Sequence, residues 1–97
     1  MNKPYDQIFK ALGDPHRLKI ITLLREREMS AHEILQKVDI EQPVLLHHMK
    51  ILSDSGVVNA ESHGKWMLYS LNEEVMSYSA MFLKECAEGT KESVDDG

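Results

Sequence analysis

The stretch that decides the fold is QPVLLHHMKILSDSGVVNAESHGKWMLYSL, residues 42–71. Its first part has proline at the start and Gly56 at the end, as in a helix of about three turns. Its second part holds two short runs, VVNAES and WMLYSL, which are rich in β-branched, aromatic and aliphatic residues and flank a turn at Gly64. The stretch therefore predicts a helix followed directly by a β-hairpin.

The residues before this helix predict a shorter helix that is joined to it by a tight turn. MSAHEILQKV, residues 29–38, contains Ser30 and Glu33 at the spacing of a capping box. DIEQ, residues 39–42, then reads as the turn. A short helix, a turn and a longer helix make a helix-turn-helix, and a hairpin directly after it is a wing.

Further helices flank this unit on both sides. YDQIFKAL, residues 5–12, and a helix capped by Asp14 precede it, and NEEVMSYSAMFLKECAE, residues 72–88, follows it. The predicted fold class is mainly α with a β-hairpin (α+β), a winged helix-turn-helix domain over residues 1–88, and residues 89–97 are expected to be a polar, disordered tail. We expect the N- and C-terminal helices to form a dimer interface through Tyr5, Ile8, Phe9, Val75, Tyr78, Met81 and Phe82.

Composition points to a single cytoplasmic domain. A chain of 97 residues suits one domain, and its single cysteine, Cys86, cannot form an intramolecular disulfide, which fits a reducing compartment. No apolar run approaches the ~18–20 residues that span a membrane, so no membrane partner is expected. The sequence contains no nucleophile–base pair at a supporting spacing and no phosphate-binding glycine loop, so we do not expect an enzyme.

The net charge of −5 is unevenly distributed. Residues 1–27 hold six basic and three acidic side chains, whereas residues 73–97 hold two basic and seven acidic ones. A DNA duplex responds to the protein face that it meets and not to the total charge. The acidic total therefore argues against indiscriminate coating of nucleic acid but is compatible with a specific DNA-binding face.

Three segments resemble the ArsR-type (arsenical-resistance repressor) winged-helix regulators. They are FKALGDPHRLKIITLL at residues 9–24, QPVLLHHMKILSDSGVV at residues 42–58 and GKWMLYSL at residues 64–71, and the similarity runs over residues 9–71. The resemblance implies a homodimeric transcriptional repressor that binds double-stranded DNA at an operator and is released by an inducer. For this chain the inducer, whether a small molecule or a redox signal, is not evident from the sequence.

The resemblance also implies where metal-sensing members bind their metal, and the chain departs from the family there. The positions of the cysteine cluster hold Ser30, His32 and Leu35, and residues 73–88, which correspond to a second family site, contain no histidine. A soft-metal site needs several thiolates or imidazoles that converge. We therefore expect neither a metal nor another cofactor.

The predicted helix at residues 43–55 divides into a core face and a DNA-reading face. At about 100° per residue, Leu45, Met49 and Leu52 share one face and His48 lies at its edge, so His48 is expected to be packed and hydrogen-bonded. Side chains on the remaining faces would enter the major groove, where amide and ammonium groups pair with base edges or phosphates. With the wing included, the predicted DNA contacts are Gln42, Val44, Leu46, His47, Lys50, His63 and Lys65.

Val44 and Leu46 are the unusual members of this set, because relatives usually have small hydroxyl residues there. An aliphatic side chain cannot hold a phosphate, although it can contact a thymine methyl group. Two alternatives remain open. Leu46 could instead pack against a neighbouring helix, or Val44 and Leu46 could dock a protein, which would make the chain a winged-helix interaction module with weak or no DNA binding.

Overall fold

A computed structural model describes residues 3–93 as five helices and a small antiparallel sheet. Along the chain, β-strands interrupt the series of helices at two places, the short first strand and the hairpin. The elements are α1 (Tyr5–Leu12), α2 (Pro15–Leu24), β1 (Met29–Ser30), α3 (Ala31–Leu35), α4 (Gln42–Asp54), β2 (Val58–His63), β3 (Trp66–Leu71) and α5 (Glu73–Ser93).

The predicted helix starts are confirmed by their hydrogen bonds. The Asp14 side chain accepts from the backbone N–H groups of His16, at 2.8 Å, and Arg17, at 3.2 Å, which satisfies two donors at the start of α2. At α3, the backbone N–H of Glu33 donates to Ser30 Oγ at 3.1 Å, and the backbone N–H of Ser30 donates to Glu33 Oε1 at 3.0 Å. This reciprocal pair is the predicted capping box.

The hairpin is the wing, as predicted, and it carries one strand that the sequence did not reveal. Strands β2 and β3 pair from Val58 opposite Leu71 to His63 opposite Trp66, and Gly64 turns the chain with a φ of 62°. Strand β1 adds to the other edge of β3, so the sheet order is β1-β3-β2. Because β1 is continuous with the N-cap of α3, it fixes the helix-turn-helix to the base of the wing.

Helix α4 lies at the centre of the core. Its side chains Leu45, Met49 and Leu52 are essentially inaccessible to solvent, as the helical phase predicted. They pack in one cluster with residues of the other helices and of the sheet, including Ile20, Leu24, Met29, Ile34, Val57 and Tyr69. The position of α4 is therefore fixed from several sides, and its remaining faces are left for other contacts.

The C-terminal helix is longer than the sequence predicted. Helix α5 begins behind Asn72, whose side-chain oxygen accepts from the backbone N–H of Val75 at 3.2 Å, and it continues through Ser93. The predicted disordered tail is therefore wrong for residues 89–93, which are helical. The rest of that predicted tail, residues 94–97, lies outside the described residues.

The first and last helices contact each other within one chain through aromatic rings. Tyr5 stacks on Phe82 with ring centroids 4.3 Å apart, Phe9 lies 5.8 Å from Phe82, and Tyr5 meets Tyr78 edge-on at 6.0 Å. All four rings remain half-buried. The pairing leaves part of each ring accessible to a second chain.

Two residues that the sequence placed at the dimer interface belong to the core of the chain itself. Ile8 is fully buried and Val75 is only 8% exposed, so neither offers surface to a partner. The reason is that each lies on the inward side of an amphipathic helix, which periodicity does not distinguish from an interface side. Met81, in contrast, is 52% exposed, and Leu83, which projects from the opposite side of the same helix, is 55% exposed.

Candidate nucleic-acid interface

The outward side of α4 presents a continuous set of exposed side chains. Its inward side is closed by Leu45 and Met49, and the next turn is closed by Leu52. All five residues of α4 that were predicted to read DNA are exposed, namely Gln42, Val44, Leu46, His47 and Lys50. The structure thus places these five on one helix, four of them in its N-terminal half, which is the part that a helix-turn-helix inserts into the major groove, and Lys50 just beyond it.

The two aliphatic residues of this set are accessible. Val44 is 43% exposed and Leu46 is 42% exposed. Leu46 is therefore not fully covered by a neighbouring helix of its own domain, and part of its side chain is available to an external contact. Two exposed aliphatic side chains on one helix need an external contact to remove them from water, whether a thymine methyl group or a protein surface.

Lys50 is the basic residue of this helix, and it has an intrahelical partner. Its ammonium Nζ lies 3.2 Å from Asp54 Oδ2, one turn further along α4, with both side chains mostly exposed. Exposed pairs at this spacing are weak, because water screens them and the long side chains lose conformational freedom. A phosphate or a guanine edge can therefore draw Lys50 away from Asp54 at small cost.

The buried His48 connects α4 to the start of α2. Its Nδ1 atom lies 3.0 Å from Arg17 Nη1, while Arg17 Nε donates to the carbonyl oxygen of Ala11 at 2.7 Å. A guanidinium has only donors, so Nδ1 must accept and the ring proton of neutral His48 must be on Nε2. His48 is thus packed and hydrogen-bonded, as predicted, and it couples α4 to the neighbouring helix α2.

The surroundings of His48 favour this neutral form. Burial lowers the pKa of His48 below its ordinary value, and the nearby positive charge of Arg17 acts in the same direction. The carboxylate of Asp14 opposes them by favouring the charged ring, but its effect is smaller than that of burial. Sequence reasoning did not identify Arg17 as the partner, since the two residues lie 31 positions apart.

The wing carries the two other predicted DNA contacts. His63 is held along its own strand, with Nε2 at 3.3 Å from Glu61 Oε1. Lys65 follows the turn at Gly64 and is exposed, and no carboxylate among the described side chains of residues 3–89 pairs with it. Lys65 is thus available to a phosphate, whereas His63 must first leave Glu61.

Trp66, which the sequence did not indicate as a site residue, is the largest exposed apolar side chain of the wing. It is 58% exposed, and the adjacent Met67 is 42% exposed. Successive strand residues point to opposite faces, so neither face of the wing is covered where β3 begins. In the sequence, only the position of Trp66 next to Lys65 indicated that it could belong to the site. Periodicity does not predict whether the end of a hairpin is covered by other residues.

Comparison with known proteins identifies the family. Residues 14–60 match the sequence pattern described as "Bacterial regulatory protein, arsR family". The chain is 40% identical to the arsenical resistance operon repressor of Staphylococcus xylosus over 76 residues, which cover 78% of this chain and 73% of that protein. The chain belongs to the ArsR family. It is also 36% identical over 74 residues to the transcriptional repressor SdpR of Bacillus subtilis, covering 76% and 82% of the two chains.

Solved structures agree with this assignment. An ArsR-like transcriptional regulator from Rhodococcus sp. RHA1 superposes with a TM-score of 0.85 over 95% of this chain and 87% of that one, at 20% identity, which establishes the fold. Rv0081 of M. tuberculosis is 32% identical, with a TM-score of 0.68 over 92% and 91% of the chains. The winged helix-turn-helix fold and the expectation of a DNA-binding regulator rather than an enzyme are confirmed.

The part of the chain that the structure describes contains neither a metal-ligand cluster nor a membrane-spanning helix. Among the described side chains, no group of three or more His, Cys, Asp or Glu residues is arranged to hold a metal ion. Over the same part of the chain, no helix has both the length and the apolar character that a bilayer crossing requires.

Proposed function

We propose that this ArsR-family protein is a homodimeric transcriptional repressor that binds an inverted-repeat operator through α4 and the wing. The observation that carries the proposal is the exposed face of α4, on which Gln42, His47 and Lys50 lie together while Leu45 and His48 fix the helix from behind. An amide and an imidazole are groups that read base edges, and an ammonium contacts guanine or phosphate.

The wing adds a contact that does not depend on sequence. Lys65 extends from the turn without a carboxylate partner in the described chain, and we assign it to a phosphate next to the groove that α4 enters. His63 lies on the same hairpin and takes a secondary role because Glu61 already holds it. In this arrangement α4 selects the sequence and the wing contributes affinity.

The homodimer is supported by surface that the single chain leaves uncovered. Tyr5, Phe9, Tyr78 and Phe82 form a half-buried aromatic cluster between α1 and α5, and Met81 lies exposed on α5 beside it. Burying such a surface against a second copy would bring two recognition helices to one duplex. A two-fold dimer of this kind requires an operator with matching two-fold symmetry.

The inducer is proposed not to be a metal bound by a cysteine cluster. The positions at which metal-sensing relatives carry that cluster hold Ser30, His32 and Leu35, which together offer one imidazole. As a regulator that acts on DNA, the protein is expected to work in the cytoplasm.

A second candidate function is favoured by the exposure of Val44 and Leu46. A winged-helix interaction module would use these two aliphatic side chains to dock a protein, with weak or no binding to DNA. The two functions differ in how binding responds to salt. Phosphate contacts release counterions, whereas an aliphatic contact does not.

The salt dependence of DNA binding therefore tests the proposal. Fluorescence anisotropy with a labelled duplex, repeated from about 50 mM to about 200 mM salt, should show affinity falling linearly on logarithmic axes. The Lys65→Ala variant should give a shallower slope, and Lys84→Ala, which removes an exposed lysine from α5, should keep the slope of the unmodified protein. Absence of measurable DNA binding at the lowest salt would favour the interaction module.

A further inference from the structure

Three elements enclose a cleft next to the proposed DNA-binding face. The cleft has a volume of about 320 Å³. Small-molecule sites span roughly 300–1,000 Å³, so this one matches a compound of one or two rings. Its walls come from α3, the start of α4 and the wing, and the side chains that matter are Ala31, His32, Leu35, Gln42, Lys65 and Trp66.

The apolar wall of the cleft is suited to a flat ring. The Trp66 side chain is 58% exposed, an unusual state for the largest apolar side chain, and it lines the cleft together with Met67. Leu35 and Ala31 line the cleft from α3. An indole face stacks in an offset manner on another aromatic ring, and aliphatic neighbours exclude water around such a pair.

The polar groups of the cleft indicate a negative charge on the ligand. Two basic groups line the cleft, the ammonium of Lys65 and the imidazole of His32, and no carboxylate lines it. A neighbouring depression of about 370 Å³ on Trp66 differs, because Glu33 is among its lining residues. A carboxylate is therefore favoured in the first cleft and disfavoured in the second.

Three hydrogen-bonding groups of this cleft are not used elsewhere in the described chain, whereas Ser30 and His32, which also line it, are bonded to Glu33 and Gln36. Among the side chains that the structure describes, those of residues 3–89, the Gln42 amide, the Lys65 ammonium and the Trp66 indole N–H have no hydrogen-bond partner. All three line the same cleft. Their donors can thus meet the oxygen atoms of one ligand without breaking an existing contact.

We propose that this cleft binds a planar aromatic monocarboxylate of one or two rings, with the ring on Trp66 and the carboxylate on Lys65. The regulatory consequence rests on the proposed function. Because Gln42 and Lys65 are also proposed DNA contacts, a ligand that occupies them competes with the operator. The compound would then act as an inducer, and it would do so at the reading face itself.

The direct test measures ligand binding without DNA. The probe is 2-naphthoate, and the matched neutral probe is 2-naphthalenemethanol, which keeps the rings and removes the charge. Trp66 is the single tryptophan of the chain, so its ¹⁵N-labelled indole signal reports on this site without ambiguity. We expect 2-naphthoate to change the chemical shift of that signal in a saturable manner. Calorimetry should show about tenfold weaker binding of the neutral probe.

Variants separate the cleft from other binding surfaces. Lys65→Gln should weaken 2-naphthoate about tenfold and leave the neutral probe unchanged, while Trp66→Ala should weaken both, with Trp66→Phe intermediate. Lys84→Gln is the matched control, because Lys84 is an exposed lysine of α5 outside the cleft, and it should change neither. Unchanged binding in Lys65→Gln and Trp66→Ala, or no saturable shift of the indole signal, would overturn the proposal.

The consequence for DNA is measured separately. In a competition experiment with bound duplex, 2-naphthoate should release DNA from the unmodified protein but not from Lys65→Gln at the same probe concentration. Trp66 is a DNA contact, and the proposed ligand site is wrong, if Trp66→Ala loses DNA affinity while the indole signal of the unmodified protein does not shift when the probe is added. DNA binding that is absent altogether would contradict the proposed function and leave the calorimetric result as the test of the cleft.

Discussion

Arg17 Nη1 lies 3.0 Å from Nδ1 of His48, and this contact joins the start of α2 to the middle of α4. Arg17 is itself held by the carbonyl oxygen of Ala11, which α1 supplies. The guanidinium of Arg17 therefore bonds to both α1 and α4. The backbone N–H of Arg17 donates to the side chain of Asp14 at the start of α2. The orientation of α4, and with it that of the proposed DNA-reading face, depends on a polar contact as well as on the apolar core.

This contact predicts acid sensitivity. The folded pKa of His48 lies below its ordinary value of 6.5, so the unfolded chain binds the proton more readily than the folded one. The stability contributed by neutral His48 is complete above pH 6.5 and is lost as pH falls below it. The urea concentration at the unfolding midpoint should decrease as the pH is lowered from about 7.5 to about 5, which brackets that value. The His48→Gln variant should show a smaller decrease over the same range.

The matched control for this pH effect is His47→Gln. His47 is the neighbouring residue on the same helix but is exposed, so its replacement should leave the acid decrease intact. The same decrease in His48→Gln and in the unmodified protein would show that another group causes it.

The fork geometry of Arg17 predicts that lysine cannot replace it. A guanidinium donates to Ala11 and His48 at once through separate nitrogen atoms, whereas one ammonium at the end of a flexible chain cannot reach both in the same geometry. Arg17→Lys should lower the free energy of unfolding by about 1–3 kcal/mol in urea titrations. Lys19→Ala, an exposed position of α2, should change it by less than about 0.5 kcal/mol; an equal effect of the two would contradict the role of Arg17.

The wing predicts a loss of affinity that is independent of sequence. Lys65→Ala should weaken binding to every duplex by a similar factor, because a phosphate contact carries no base information. Gln42→Ala should instead weaken the preferred duplex by about 1–3 kcal/mol and change the base preference. Affinity measurements on a panel of single-base variants distinguish the two patterns, and a base-selective effect of Lys65→Ala would place that residue in a groove.

Exposed Leu46 predicts that thymine methyl groups matter. If Leu46 contacts such a methyl group, replacing thymine by deoxyuridine in the bound duplex should weaken the unmodified protein, because only the C5 methyl is removed. The Leu46→Ser variant should show a smaller response to the same replacement. An increase in affinity of Leu46→Ser for all duplexes would mean that a phosphate contact had been missing and that the aliphatic side chain makes none of its own.

Exposed Met81 predicts a dimer that a charge can disrupt. Met81→Glu would place a carboxylate in a surface that a second chain buries, which is costly without a partner. Light scattering should show the mass fall from twice the 11.1 kDa of the chain towards that of a monomer. Glu85→Gln, at an exposed position of the same helix, should leave the mass unchanged, and an unaltered mass in Met81→Glu would exclude this part of α5 from the interface.

Local features of the fold were predictable from the sequence, and long-range ones were not. The burial of Leu45 and the accessibility of His47 follow from helical phase within one helix, and the capping box of Ser30 and Glu33 follows from three-residue spacing. Strand β1 was missed because it exists only through pairing with distant β3, as in Met29 opposite Tyr69. Two residues are too few to give a periodic signal of their own.

The same distinction applies to the site. The sequence indicated that His48 needed a polar partner, but Arg17 becomes that partner only when α2 packs against α4. Helical phase also showed that Ile8 and Val75 are apolar-face residues, without deciding whether the chain or its partner buries them. The cleft beside Trp66 depends on three elements that meet in space, so no local pattern predicts it.

Selection of duplexes from a random DNA pool by the purified protein, at about 50 mM and about 200 mM salt, tests the central claim most directly. Operator recognition by two α4 helices predicts an inverted repeat whose half-sites lie about one or more helical turns apart, with recovery that is stronger at the lower salt. Recovery of no sequence above the starting pool at either salt would contradict the repressor and favour a winged helix that binds protein through Val44 and Leu46.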